Sequence, residues 1–515
     1  MASSLIRGKY VVSRVVDDNS SQIIRDGAIY QRDGEIVEVG RYDDLKARYD
    51  PDEVIGSGND VVLPGLINAH HHTGLTPFQM GVLDLPLEPW ITARMRMRAV
   101  DPYLDTLYCA MQMIESGITT VMHNDSFWGT PRDSSPVERG EKIIQAYKDS
   151  GMRAALPYSY RDQNSLVYQD DQTFLSTLPT GLASKASALL QSRSASHQEY
   201  FDAFVDLYER FGRNQPEERI IHMLGPVNVQ WCSDEFLMAA KEFANRYETG
   251  IHIHVQETIY QKMYGLKTYK KTPLAHLNEL GVLGPEVSCA HGVWLTNSDI
   301  TIMAETGTIL CHNASSNLRL KSGVAPVNHL LAQGVTVAIG IDEAGINDDN
   351  DILQEMRLVQ KVHRTPGVNV SSLTSHQVLK MATVNGAKAT LFGDRIGTLE
   401  AGKRADVILV NLAGISEPYL QEETNIVDAL LYRGRGTDVD AVIVDGEVIM
   451  RDREITRVNK HEIWARLKEN LSRPLDAQEL ERAELSAELL PYVNRFYQQW
   501  PIQEGRPHYM YNESE

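Results

Sequence analysis

The chain has 515 residues, 42% of them hydrophobic, and a formal net charge of −19. At about 150 residues per domain this length allows roughly three units, or one barrel with additions, and the hydrophobic content suits a sizeable core. The acidic balance, with no basic run longer than a pair such as Lys270–Lys271, argues against nucleic acid or an anionic membrane as partner, since both select clustered Lys and Arg.

The opening residues Met1–Arg7 lack the charged-then-apolar order of a signal peptide, and no apolar run reaches membrane-spanning length. Residues 5–60 read as short strands. Asp26–Gly27 and Asp33–Gly34 stand beside the strand-like Ala28–Tyr30 and Ile36–Val39, which is hairpin grammar. Val61–Ala69 predicts a buried strand, broken by Pro64–Gly65, that runs directly into His70, His71 and His72. Strand alternation puts His70 and His72 on one face and His71 on the other. Two imidazoles side by side make half of a metal site; for this segment alone a solvated His run is the competing reading.

From 64 to 394 apolar strand-like runs alternate with helical stretches: Ile118–Val121, Arg153–Pro157, Arg219–Leu224, Gly250–Val255, Val287–Ala290, Thr308–Cys311 and Val335–Ile341. With the run ending at Ala69 they make eight, which predicts an α/β fold, a parallel (β/α)8 TIM barrel. The Ser-rich stretch Ser184–Ser196 reads either as an excursion over the barrel mouth or as a polar helix and loop. Strand grammar returns at 402–410 and 440–449. The simplest arrangement joins residues 1–63 and 395–456 in a composite β-sandwich beside the 64–394 barrel. Residues 457–515 form a C-terminal helical extension, with helical apolar spacing over 460–472 and 476–499. The cysteines Cys109, Cys232, Cys289 and Cys311 are scattered without a CxxC, so neither a zinc ribbon nor a disulfide framework is expected. A cytoplasmic homo-oligomer acting on a small molecule is the expectation.

Barrel enzymes place their sites at the C-terminal strand ends. The first strand offers His70 and His72 there, the fifth His252, His254 and Glu257, the sixth His291 and the eighth Asp342. Four strand ends converging on metal-ligand chemistry exceed what chance supplies. His252 and His254 compete for the ligand position on the fifth strand, since both point the same way.

On these residues the chain resembles the amidohydrolase superfamily, in its mononuclear branch of cytosine deaminase, S-adenosylhomocysteine deaminase and atrazine chlorohydrolase-like enzymes. The stretches that carry the resemblance are Leu63–His72, His252–Glu257, His312–Asn317 with Gly323–Pro326, and Gly397–Asp406. The resemblance implies His70, His72, His254 and Asp342 as metal ligands, Glu257 as proton shuttle and His291 facing the reacting carbon. The spacing to Glu257 favours His254 over His252, which then lies one layer deeper. Two-metal relatives commonly bridge their ions with a modified lysine on the fourth strand; Arg219–Pro226 has none, so one divalent ion, Zn2+ or Fe2+, is expected.

A bound metal lowers the pKa of water from about 15.7 to about 7. Asp342 can accept the water's proton, Glu257 can protonate a ring nitrogen, and His291 can stabilise charge on the attacking oxygen. The expected activity is hydrolytic deamination of an amino-substituted N-heterocycle. A hydrolase of the same fold expelling chloride, an alkylamine or an amide or urea nitrogen is the alternative, and a non-catalytic barrel scaffold is a rival of another class.

Gln79, Trp90, Asn124, Asn228, Trp231 and Glu343 are the substrate-contact candidates. Phe78 and Trp128 could join the aromatic wall, His123 the mouth, and Glu343 a cationic substituent. Asp348, Asp349 and Asp351 read as a helix N-cap rather than as a second cation site. Relatives often show Arg–Gly where this chain has Met80–Gly81, and histidine where it has Val227. These departures favour a compact, neutral or cationic heterocycle over a carboxylated nucleoside.

Overall fold

In the computed structural model, which describes residues 3–125, 135–212, 218–368 and 372–502, eight strands succeed one another in sequence order around a parallel barrel. They are Leu66–His71, Ile118–His123, Arg153–Tyr160, Ile220–Pro226, Ile251–Val255, Val287–His291, Ile309–His312 and Val337–Ile339. All eight predicted strands are there. Every residue in them is buried, as expected of strands covered by helices outside and by one another inside. The eighth returns to the first: Asp342 N donates to His70 O at 2.9 Å, and Ile341 N to Asn68 Oδ1 at 3.0 Å.

The two ends of the barrel segment lead into one nine-stranded mixed sheet. Asp60–Pro64 pairs antiparallel with Val407–Asn411 and parallel with Ser3–Asp17. Its core mixes Ile6, Val11, Ile29, Ile36 and Val62 with Val407, Leu409 and Ile443, so neither chain end completes an apolar core alone. Asp33–Gly34 forms the predicted turn, between Ser20–Arg32 and Glu35–Arg41, with φ of 52° and 80°. Asp26–Gly27 does not turn the chain. It sits inside Ser20–Arg32, whose pairing runs on through Gly27 opposite Gly8, because the ladder to the first strand outweighs the local turn preference.

A buried ion network joins sheet to barrel. Arg153, at the start of the third barrel strand, donates to both carboxylate oxygens of Asp406 at 2.7 and 3.0 Å and also to Asp445. Arg219 reaches the same Asp445 at 2.8 Å. The helix Lys460–Ser472 packs Ile463 and Leu467 on Leu104 and Leu107. The helix Ala477–Gln498 opens with an Asp476–Glu479 capping box and buries Leu485, Leu489, Val493 and Tyr497 against Tyr168, Leu178, Leu182 and Trp231. The Ser-rich stretch is helical as far as Arg193, within Thr180–Arg193, and then a short loop to Ser196, the cap of the next helix; a Lys185–Glu488 ion pair at 2.9 Å sets it beside the C-terminal helix.

Candidate active site

The chain turns sharply at the strand ends that carry chemistry. Gln256, His291 and Asp342 adopt φ of 47°, 74° and 65°, values that L residues rarely take. His72 Nε2 and His254 Nε2 lie 3.1 Å apart, and Asp342 Oδ1 lies 3.4 Å from His70 Nε2 and 3.6 Å from His72 Nε2. Ligand atoms about 2.0–2.2 Å from a tetrahedral ion stand roughly 3.3–3.6 Å from one another, so these four residues fit one ion. His70 Nε2 is buried without a hydrogen-bond partner, as a nitrogen reserved for a metal would be.

The other ring nitrogens are fixed from behind. His72 Nδ1 donates to the carbonyl of Asn124 at 2.8 Å and His254 Nδ1 to that of Val227 at 2.7 Å. Those bonds set the tautomer that leaves each Nε2 with a lone pair. His70 Nδ1 shares a 2.7 Å hydrogen bond with His252 Nε2, and His252 Nδ1 another with Ser288 Oγ. His252 therefore supports His70 from one layer deeper. Burial, above all, holds His70 and His254 well below the usual imidazole range, keeping both neutral. Burial pushes the Asp342 carboxyl up, but the imidazoles that face it, His70 first and then His291 and His72, outweigh it and hold Asp342 well below the carboxylate range. Ser316 Oγ donates to Asp342 Oδ2 at 2.5 Å.

Glu257 faces the same point from the loop after the fifth strand. One oxygen is 3.9 Å from His291 Nε2; the other, Oε1, is buried and unpartnered. Burial pushes this carboxyl up to about 7, against the opposing effect of His291, which suits a group that must give and take a proton at neutral pH. His291 Nδ1 is held by Asn317 Oδ1 at 2.9 Å, and its Nε2 stands 3.8 Å from Asp342 Oδ2. It also falls within reach of a ligand set with His70 and His254.

Above these groups opens a cavity of about 770 Å³. Trp90, Asn124, Trp231 and Glu343 line it, as do His123 and Met80. Gln79 does not: its exposed amide donates to Tyr108 Oη at 2.9 Å. Neither does Asn228, which is fully buried, caps the short helix Val229–Trp231 and bridges to the backbone of His254. Phe78 is exposed outside the lining, and Trp128 lies outside the described residues. Glu343 is not free for a cationic substituent, since Arg94 binds it at 2.5 Å while stacking 4.6 Å from the Trp90 ring centroid. His71 turns away and bonds Cys109. Asp351 caps the helix Ile352–Val362, and Asp348 holds Arg319.

Sequence reasoning missed the orienting residues Ser288, Ser316 and Asn317. The last two lie in the His312–Asn317 stretch, a signal that was visible but had no role attached. It also missed that Arg473, Arg482, Leu489 and Val493 of the C-terminal extension wall the cavity. At about 770 Å³ the cavity has room for more than the compact heterocycle expected.

Gly340 lets the eighth strand pass the first. A Cβ there would fall 2.4 Å from Asn313 Oδ1 and 2.7 Å from His70 Cβ. Gly340→Ala should cost about 1–3 kcal/mol of stability by overpacking and loosen metal retention through His70. A melting temperature and a dialysed metal content both unchanged would contradict this.

The sequence matches the amidohydrolase family over residues 61–449. A 5′-deoxyadenosine deaminase of Methanosarcina mazei is 31% identical over 468 residues, 90% of this chain and 96% of the relative. A 5-methylthioadenosine/S-adenosylhomocysteine deaminase of Moorella thermoacetica is 33% identical over 453 residues, 87% and 95% of the two chains. Among solved structures, an adenosine deaminase from Xanthomonas campestris with bound zinc superposes with a TM-score of 0.76 at 25% identity, covering 91% of this chain and 97% of that one.

Proposed function

We propose, from the premise that the chain belongs to the amidohydrolase family, that it deaminates an adenine nucleoside modified at the 5′ carbon. It is a metal-dependent aminohydrolase acting on carbon–nitrogen bonds. The observation that carries the substrate reading is the buried Glu257 carboxyl, with Oε1 unpartnered, poised beside His291 at the floor of a cavity of about 770 Å³. The proposed substrate class takes in those named for the two relatives.

In this reading His70, His72, His254 and Asp342 hold one divalent ion, zinc or ferrous iron, and Val227, Asn124 and His252 orient the three imidazoles. A divalent ion in such a site lowers the pKa of water and supplies a nucleophile at neutral pH. Glu257, protonated, donates to the purine N1, which makes C6 electrophilic. Asp342 takes the proton lost by the attacking water, with Ser316 fixing its second oxygen. His291, its Nδ1–H braced by Asn317 Oδ1, stabilises the oxygen that arrives at C6 when it carries a second proton on Nε2. The proton carried away from the water then reaches the amino group, which leaves as ammonia, and the proton still on the C6 oxygen passes to Glu257 as the carbonyl forms, restoring its acid form. Trp90 and Trp231 supply apolar walls, and Asn124 a polar one.

The same proposal divides the chain into a 64–394 catalytic barrel, a 1–63 and 395–456 sandwich and a 457–515 extension. It also makes the protein a cytoplasmic homo-oligomer, to be tested by cell fractionation and light scattering. Among the described residues no helix is long and apolar enough to cross a membrane.

Product analysis tests the activity. The metal-loaded protein should release ammonia from 5′-deoxyadenosine, 5-methylthioadenosine or S-adenosylhomocysteine, leaving the 6-oxo purine, and little from cytosine, a pterin or an aminotriazine. Release of chloride or an alkylamine from a substituted triazine, with no ammonia from any adenine nucleoside, would overturn it in favour of the alternative hydrolase.

A further inference from the structure

Eight Lys and Arg side chains line the cavity: Arg94, Arg98, Arg139, Lys142, Arg161, Arg193, Arg473 and Arg482. Five have partners. Arg94 is paired with Glu343, Arg139 with Asp125, Lys142 with Asp101 and Arg473 with Glu479, while Arg98 donates to the carbonyls of Leu471 and Arg473. The remaining three, Arg161, Arg193 and Arg482, make no hydrogen bond or ion pair among the described residues. Arg161 rests over the Trp231 ring, 5.8 Å from its centroid. The Nε of Arg193 is buried without a partner, and Arg482 is only 9% exposed.

Guanidinium groups do not shed their charge in proteins, and each presents five donors. Three of them gathered in one cavity, none of them ion-paired among the described residues, repel one another. Burial and the charges of Arg161 and Arg482 together push Arg193 down to about 10. The nearby acid, Asp171, favours the charge on Arg161, but its two carboxylate oxygens already accept from the backbone N–H groups of Ser165 and Leu166. Asp162 is likewise occupied, by His197 and Ser233. The three arginines come from separate elements: the loop after the third strand, the last residue of Thr180–Arg193, and the helix Ala477–Gln498. The third lies beyond residue 449, where the family match ends.

We propose that Arg161, Arg193 and Arg482 form an anion subsite that takes a carboxylate or phosphate on the substrate's 5′ substituent, with the C-terminal extension supplying the guanidinium the barrel lacks. This rests on the deaminase reading and narrows its substrate class. The planar fork of guanidinium matches the paired oxygens of either anion.

The test compares S-adenosylhomocysteine (carboxylate), adenosine 5′-phosphate (phosphate) and 5′-deoxyadenosine (neutral) as substrates of wild type, Arg482→Gln and Arg482→Lys. Hydrogen bonds to charged groups suggest that Arg482→Gln should lower the ratio of kcat/KM on the preferred anionic substrate to that on 5′-deoxyadenosine by about 10–100-fold, mostly through KM. Arg482→Lys should recover part of that loss. The anion whose ratio falls identifies the group bound. A ratio unchanged in Arg482→Gln, or a wild type that prefers the neutral nucleoside over both anions, would overturn the subsite. If no nucleoside is deaminated, calorimetric binding of S-adenosylhomocysteine and adenosine 5′-phosphate still decides: binding of one, lost in Arg482→Gln, supports the subsite while the deaminase reading fails. Binding of neither overturns both.

Discussion

Glu257→Gln should keep its metal and its fold and lose about 10²–10⁴ in turnover, the usual cost of removing a general acid–base group. The glutamine is isosteric, so the cavity is preserved. It carries no proton to deliver to the ring nitrogen, and the amide cannot cycle between acid and base. His254→Ala should behave differently. It removes one of the imidazoles whose Nε2 atoms converge within 3.1 Å, and the metal should leave with it. The two variants are separated by measuring metal content and ammonia release on the same preparations. If Glu257→Gln loses metal in proportion to activity, the glutamate is a ligand and the roles on the fifth strand must be exchanged.

Asp406→Ala should destabilise the folded chain toward the lower end of about 3–5 kcal/mol, the cost of leaving one partner of a buried ion pair behind. Arg153 is 1% exposed at its side chain and cannot reach water in the folded state. It would retain Asp445, but that carboxylate is already shared with Arg219 and Arg404, so the offset is partial. The replacement of both partners by apolar residues, Arg153→Met with Asp406→Leu, should cost less than Asp406→Ala alone, because no charge is left unpaired. Thermal or urea unfolding followed by circular dichroism reads the difference. An Asp406→Ala protein within about 0.5 kcal/mol of wild type, the range of an ordinary surface change, would show that the network between Gly397–Asp406 and the barrel carries little of the stability.

His70 and His72 were legible because strand alternation is a property of the backbone, and two positions apart means one face whatever the rest of the chain does. Asp351 was legible as a cap for the same kind of reason: its carboxylate satisfies N–H groups two and three residues on. Gln79 and Asn228 were misplaced because nearness to a strand end says nothing about which side of a loop faces the cavity. Gln79 found Tyr108, and Asn228 was spent on a local cap. Asp26–Gly27 failed as a turn because its pairing across the sheet, Gly27 to Gly8, was stronger than its own preference.

What the sequence by itself determined is everything with a short period: eight buried strands between helices, the His–x–His pairs at their ends, the carboxylate three residues beyond His254, and the absence of a lysine on the fourth strand. These follow from steric rules acting over a few residues. The tertiary structure alone decided that the C-terminal helix walls the cavity, that Arg94 neutralises Glu343, and that Arg161, Arg193 and Arg482 meet. Such meetings depend on which apolar faces bury against which, here Leu489 and Val493 against the residues around Trp231. No local pattern records that choice, because a helix with an apolar face is equally satisfied by any apolar surface of the right shape.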